Sequence, residues 1–343
     1  MAQGAQAMKA LSFAGFNASE SMAALAATSE LAVASGMSAS QSAKTVAQSL
    51  NAFNMEADQA DAIVGAMGAT FASSATNIRS LSQALTEVQA TASSAGISAA
   101  ETVAAIGTLA DAGLEGSKAG TSLNAILSRL TGQSSETQKA MEELGLTAQA
   151  FTTQSGDMKN MMSILRTLSG EMDDVSSEAD KIRLAQQLAG REGARALLPL
   201  IESTDELQKK LEDNLRAEIQ GAVADLAEMN DQELSGVSEA LGMEVSGETG
   251  TTELISNLRE LSKEGESTAD IVARLQVGLG LTDQAAKALA SDIEDTNKPV
   301  EDIAEGIGGV TTAAELAEKQ TQTLSGQVQQ LRSTLQVIGY EIF

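Results

Sequence analysis

Ser94-Ala95-Gly96-Ile97-Ser98-Ala99-Ala100-Glu101-Thr102 holds the end of one helix and the start of the next. Gly96 supplies the left-handed residue that closes a helix. Ile97 stands where an apolar side chain staples the following helix. Ser98 can accept from that helix's unpaired N–H groups, and Glu101, three residues on, completes a capping box. The same order recurs at Gly15-Phe16-Asn17, Gly36-Met37-Ser38, Gly145-Leu146-Thr147 and Gly280-Leu281-Thr282. Gly113-Leu114-Glu115 is a weaker copy, and Glu20 gives Asn17 its own box. Residues up to about 202 are therefore predicted to be short helices joined by tight glycine corners.

The segments between corners carry the helical period. Leu123, Ile126, Leu127 and Leu130 follow i, i+3, i+4, i+7, and Met158, Met161, Met162 and Leu165 do the same. A methionine stripe suits a promiscuous groove, but core packing is the plainer expectation. Residues 13–25 parallel 94–106, with an offset of 81 at Gly15 and Gly96 and of 77 at the next corner, Gly36 and Gly113. Two related helical hairpins are expected, separated by helices near 56–73 and 77–94. The four extra residues of the first copy would lengthen its helix by about one turn.

Composition narrows the class. The 343 residues include two Pro, six Phe, one Tyr and no Trp, so helices run almost uninterrupted and the core must come from aliphatic residues and 13 Met. The absence of Cys and His removes disulfides, Cys/His zinc sites and Cys or His catalysis. A formal net charge of −25 disfavours nucleic acid and anionic lipid as partners. No run reaches the apolar length of a membrane-spanning helix, and the first ten residues lack a secretion signal.

After residue 202 the texture changes. Residues 203–311 read as additional helices with loops. First comes a charged amphipathic helix from Ser203 to Glu228, with Glu206, Lys209, Lys210, Glu212 and Asp213 on its wet side. A loop at 247–250, two or three further helices to about 295, a turn at 295–299 and a linker at Gly306-Ile307-Gly308-Gly309 follow. Residues 312–343 read as the start of a long heptad helix, with Leu324, Val328, Leu331, Leu335, Ile338 and Ile342 as its seam. No stop signal precedes Phe343, so the natural chain is expected to continue.

No catalytic or cofactor motif emerges. Gly190-Arg191-Glu192-Gly193 follows no strand and reads as a helix corner, with Arg191 and Arg195 as structural side chains. Asp173, Asp174, Glu178 and Asp180 lack calcium-loop spacing and read as a solvated helix start capped by Ser177. No catalytic, cofactor-binding or metal residue is named.

A stretch at 110–123 resembles the core region of phage tail tape measure proteins. Ala110-Asp111-Ala112-Gly113 is followed by Gly116-Ser117, Ala119-Gly120-Thr121 and Leu123. Flanking pieces agree in order. Residues 94–98 with Glu101-Thr102 come before it; Thr137-Gln138-Lys139-Ala140, Glu143-Leu144-Gly145, Gly156-Asp157-Met158-Lys159 and Gly190 with 194–198 come after. The likeness covers about residues 7–202 and resumes at Leu324-Ser325-Gly326-Gln327. It implies an all-α structural protein of the tail tube lumen whose length sets tail length, which supports tail assembly and leaves ahead of the genome. It also implies no enzyme and no cofactor. The implied partners are further copies through the C-terminal heptads, the tube protein, assembly chaperones and distal tail proteins. The implied places are the virion and, during assembly, the host cytoplasm. Residues 203–311 depart from the family pattern. A membrane- or cell-wall-active ejected protein and a generic coiled-coil interaction protein are the alternatives; the glycine corners argue against the latter.

Overall fold

The structure, a computed structural model, describes residues 2–132, 134–153, 158–227, 229–263, 267–295 and 298–310. The proposed heptad seam, Leu324 to Ile342, lies outside the described residues, as do Gly156 and Asp157. The described residues form α-helices, short 3-10 turns and one isolated bridge between Thr152 and Met158, with no strand among them.

The first unit comprises α1 (Ala2–Phe13), α2 (Ala18–Ala23), α3 (Leu25–Ser35) and α4 (Ala39–Phe53). After α5 (Ala60–Ser73), the second unit comprises α6 (Ile78–Ser94), α7 (Ala99–Asp111) and α8 (Ser117–Gly132). In each unit the helix before the first corner packs along the helix after the second: α1 on α4, α6 on α8. The repeat is thus a three-limbed unit rather than a hairpin. The extra residues do not make one longer helix either. The first copy breaks at Ala24, whose backbone closes α2 and opens α3.

The corners have a common hydrogen-bond signature. Phe16, Ile97, Leu114 and Leu146, each following a glycine, donate N–H to the carbonyl five residues back, at 2.7–3.2 Å. That bond closes the outgoing helix through a left-handed glycine; φ is 103° at Gly15, 73° at Gly96, 82° at Gly113 and 71° at Gly145. Gly36 closes α3 at φ 64° with a different pattern, in which Met37 N–H reaches the Ser35 hydroxyl at 3.1 Å.

Helices α5 and α7 form the centre. Residues 62–70 and 101–110 are buried around their whole circumference, as expected of helices carrying few polar side chains. Next come α9 (Ser135–Glu143), α10 (Met161–Asp173) and α11 (Glu178–Glu202), and α11 packs on α7, α8, α9 and α10. Gly190, at φ 75° and ψ 175°, divides α11 into two helical limbs, and Pro199 sits in the second. Met158 does not join the methionine helix: Asn160 caps α10, accepting from Ser163 N–H at 2.8 Å, so the buried stripe begins at Met161.

Helix α12 (Thr204–Asp225) leads to α13 (Asp231–Leu241), α14 (Thr251–Lys263), α15 (Thr268–Leu279), α16 (Asp283–Glu294) and α17 (Val300–Gly308). One apolar cluster runs from Ala7 to Leu207 and a second from Leu215 to Ile307, so they divide within α12, past residue 202. Gly306-Ile307-Gly308 is not a linker; it ends α17, with Ile307 buried against the second cluster.

Candidate functional site

Helix α12 carries three buried polar residues at four-residue spacing, Lys210, Asn214 and Glu218. That spacing puts them on one face. Lys210, expected on the wet side, is 0% exposed. Its Nζ lies 3.0 Å from Asp111 Oδ2 and 3.0 Å from Glu206 Oε1, and donates to the Ser73 carbonyl at 2.6 Å. A buried ammonium must be paired or it would give up its charge, and three acceptors satisfy its three N–H groups. The aliphatic stem passes Gly107 of α7, where a Cβ would overlap the Thr70 methyl group and stand 3.4 Å from Lys210 Cδ.

One turn on, Asn214 Nδ2 donates to the Ala100 carbonyl at 3.1 Å, and its Oδ1 accepts from the Thr70 hydroxyl at 2.9 Å. A further turn on, Glu218 accepts from Thr282 N–H at 2.5 Å and from the Thr282 hydroxyl at 2.9 Å. Burial pushes its carboxyl up to about 7 despite those bonds. Each rung of the stripe therefore grips a different element: the α5 and α7 ends, the α5–α7 seam, and the start of α16.

Asp111, at the end of α7, holds two things at once. Its Oδ1 accepts from Ala75 N–H at 2.6 Å in the α5–α6 connection, while Oδ2 meets Lys210. Ser98 caps α7 and Glu101 completes the box; Glu101 Oε1 also accepts from Met161 N–H at 3.0 Å, tying the start of α7 to the start of α10. Burial raises the Glu101 pKa, and these hydrogen bonds oppose the rise. Gly116 has φ 56° beneath Gln83, and Gly120 lets α8 touch the α6 backbone at Ala84. Gly190 turns under the Arg129 guanidinium, 3.4 Å from where a Cβ would sit. Arg191 and Arg195 point to solvent. The corner and cap residues are thus spread over the fold, while Asp111 joins the α12 stripe.

A cavity of about 420 Å³ lies between the first apolar cluster and the α15–α16 corner, lined in part by Gln59, Ser98, Glu218, Thr282 and Gln284. The corners Gly96-Ile97-Ser98 and Gly280-Leu281-Thr282 face one another across it, through a Ser98–Gln284 hydrogen bond and a Gln59 bond to the Gly280 carbonyl. Among the described residues no group of three or more Asp and Glu could hold a metal ion, and no helix is long and apolar enough to cross a membrane.

The stripe escaped sequence reasoning because Lys210 and Glu218 look like ordinary helix-surface charges. The available signal was their i, i+4, i+8 register with Asn214, flanked by Leu207, Leu215 and Ile219.

A family model described as phage-related minor tail protein matches residues 1–190. A tape measure protein of Pneumococcus phage Dp-1 is 31% identical over 240 residues, covering 70% of this chain and 20% of that protein. A probable tape measure protein of Escherichia phage P2 is 28% identical over 245 residues, covering 68% of this chain and 29% of that protein. The chain thus spans less than a third of either relative's length. No solved structure matches it.

Proposed function

The chain belongs to the phage-related minor tail protein family of tape measure proteins, and on that premise we propose that it is the folded part of a protein that sets tail length and nucleates tail assembly. One observation carries the reading: the matched residues 1–190 run from the first repeated unit through α5, the second unit, α9 and α10 to the first limb of α11, ending at the Gly190 corner. On this reading the described helices are a structural module and not an enzyme, and the protein works in the tail tube lumen of the virion after assembly in the host cytoplasm. It precedes the genome during ejection. Its partners are the tube protein, assembly chaperones, distal tail proteins and other copies joined by the 324–342 seam. Residues 203–311 are a helical addition locked on through α12.

The test is an in-frame deletion of residues 78–132, which removes α6 to α8, in a phage carrying this gene. The expected result is filled heads without tails under the electron microscope. Normal, infectious tails would contradict the assembly role.

A further inference from the structure

We propose that the groove between α1 and α4 is a docking site for an acidic amphipathic helix of another protein. The two helices run in the same direction, with Asn51 Nδ2 donating to the Ala14 carbonyl at 3.3 Å near their C-terminal ends. Between them opens a groove of about 790 Å³, walled by Gln6, Lys9 and Phe13 on one side and Lys44, Gln48 and Asn51 on the other. From Ser40 to Asn51 it is roughly 16 Å long at 1.5 Å per residue, the length of three helical turns. Phe13 is 81% exposed, one of only six Phe in the chain, and Lys9 Nζ sits 5.6 Å from its ring centre.

The charge pattern sets the occupant. The chain has 47 acidic residues, yet α1 and α4 contain none, and their only charges are Lys9 and Lys44 on opposite walls. Two lysines astride an exposed aromatic match an apolar stripe with a carboxylate on each flank. A long polyanion or a second copy of this chain would meet the remaining net negative charge; a short acidic helix from a less charged protein meets only the local field.

The internal repeat shows that the fold does not require these side chains. At the corresponding positions the second unit has Ala90 for Lys9, Ser94 for Phe13 and Thr121 for Lys44. There α6 and α8 also pack along one another, with Thr91 and Asn124 hydrogen-bonded across the seam at 2.9 Å. The larger and charged groups are thus additions to one copy of a shared scaffold.

The probe is a labelled peptide of about four helical turns, with Leu at i, i+4, i+7 and i+11 and Glu on both flanks, titrated into the 343-residue chain and followed by anisotropy. A twin peptide carries Lys flanks. Saturable binding of the Glu peptide, weakened at least tenfold by Phe13→Ala, by Lys9→Gln with Lys44→Gln, and by Lys9→Glu with Lys44→Glu, is the expected result. The same variants should melt at the wild-type temperature, because the three side chains are exposed. Equal binding of the Lys-flanked twin, or unchanged binding by all the variants, would overturn the proposal. A photo-crosslinker at position 13 in infected cells gives the second reading. Covalent capture of an acidic helix from another protein supports the docking site; capture of a second copy of this chain or of nucleic acid refutes it.

Discussion

At Lys210 three acceptors, from α5, α7 and α12 itself, meet at one fully buried ammonium. Removing it leaves a cavity where its buried stem lay and takes the donor from the Ser73 carbonyl, while Asp111 and Glu206 are partly exposed and can rehydrate. Lys210→Ala is therefore expected to lower stability by roughly 2–4 kcal/mol, and Lys210→Met, which keeps the volume, by about 1 kcal/mol. Urea denaturation checks both; a neutral Lys210→Ala would mean the lysine is not the clamp. Glu218 and Asp61 add a pH dependence. Burial, with Asp225 and Glu30 nearby in the case of Asp61, pushes both carboxyls up to about 7. Between the unfolded range near 4 and about 7 the folded chain holds more protons than the unfolded one. Their stabilising contribution is thus complete below pH ~4 and is lost as pH rises through 7. Thermal stability should fall between pH 5 and 8. Glu218→Gln, which keeps an acceptor for Thr282 N–H, should exceed wild type at pH 8 by on the order of 1–3 kcal/mol and match it near pH 5. Parallel wild-type and Glu218→Gln pH profiles would contradict this. None of it was legible from Lys210 or Glu218 alone, because a charged residue's burial is decided by what the other helices bring to meet it.

At the scale of elements, the glycine corners were legible and the packing between helices was not. A left-handed glycine, an apolar residue and a cap act within a few residues of one another, so local sequence suffices. Which helices become neighbours depends on distant faces, and so the paired hairpins read from residues 13–25 and 94–106 proved to be three-limbed units. Gly120 shows the difference. By propensity, alanine in place of Gly120, at the end of the first turn of α8, should help by up to about 1 kcal/mol. The structure places a Cβ there on the Ala84 carbonyl, 2.9 Å from its C and Cα atoms, and backbone cannot swing aside. Gly120→Ala is expected to destabilise by about 1–3 kcal/mol through separation of α6 and α8. The corresponding residue of the first unit is Ala43, fully buried, so α1 and α4 accommodate a methyl group that α6 and α8 do not. A more stable Gly120→Ala protein would show that the two helices can move apart freely. The linker expected at residues 306–309 failed for a related reason: three glycines suggest a break, but Ile303 and Ile307 give the helix a buried edge that outweighs their low propensity.

For the whole molecule, the polar stripe of α12 unites two apolar clusters, and the corners allow many short helices to wrap the two central ones. The family's stamp was visible in the order of the motifs from residue 94 to 198, although each motif by itself is only a corner or a helix face. Residues 203–310 lacked such an order, and their attachment became clear only through Lys210, Asn214 and Glu218. The proposed function, that the protein containing this chain measures the tail, predicts a length and not merely a phenotype. Twelve added heptads, placed in frame after the proposed 324–342 seam, amount to 84 residues and would keep such a heptad register unbroken. At ~1.5 Å per residue, tails should lengthen by about 125 Å. Electron micrographs of the mutant phage give that number directly. Tails longer by about that increment would agree with the ruler, and tails of unchanged length would contradict it.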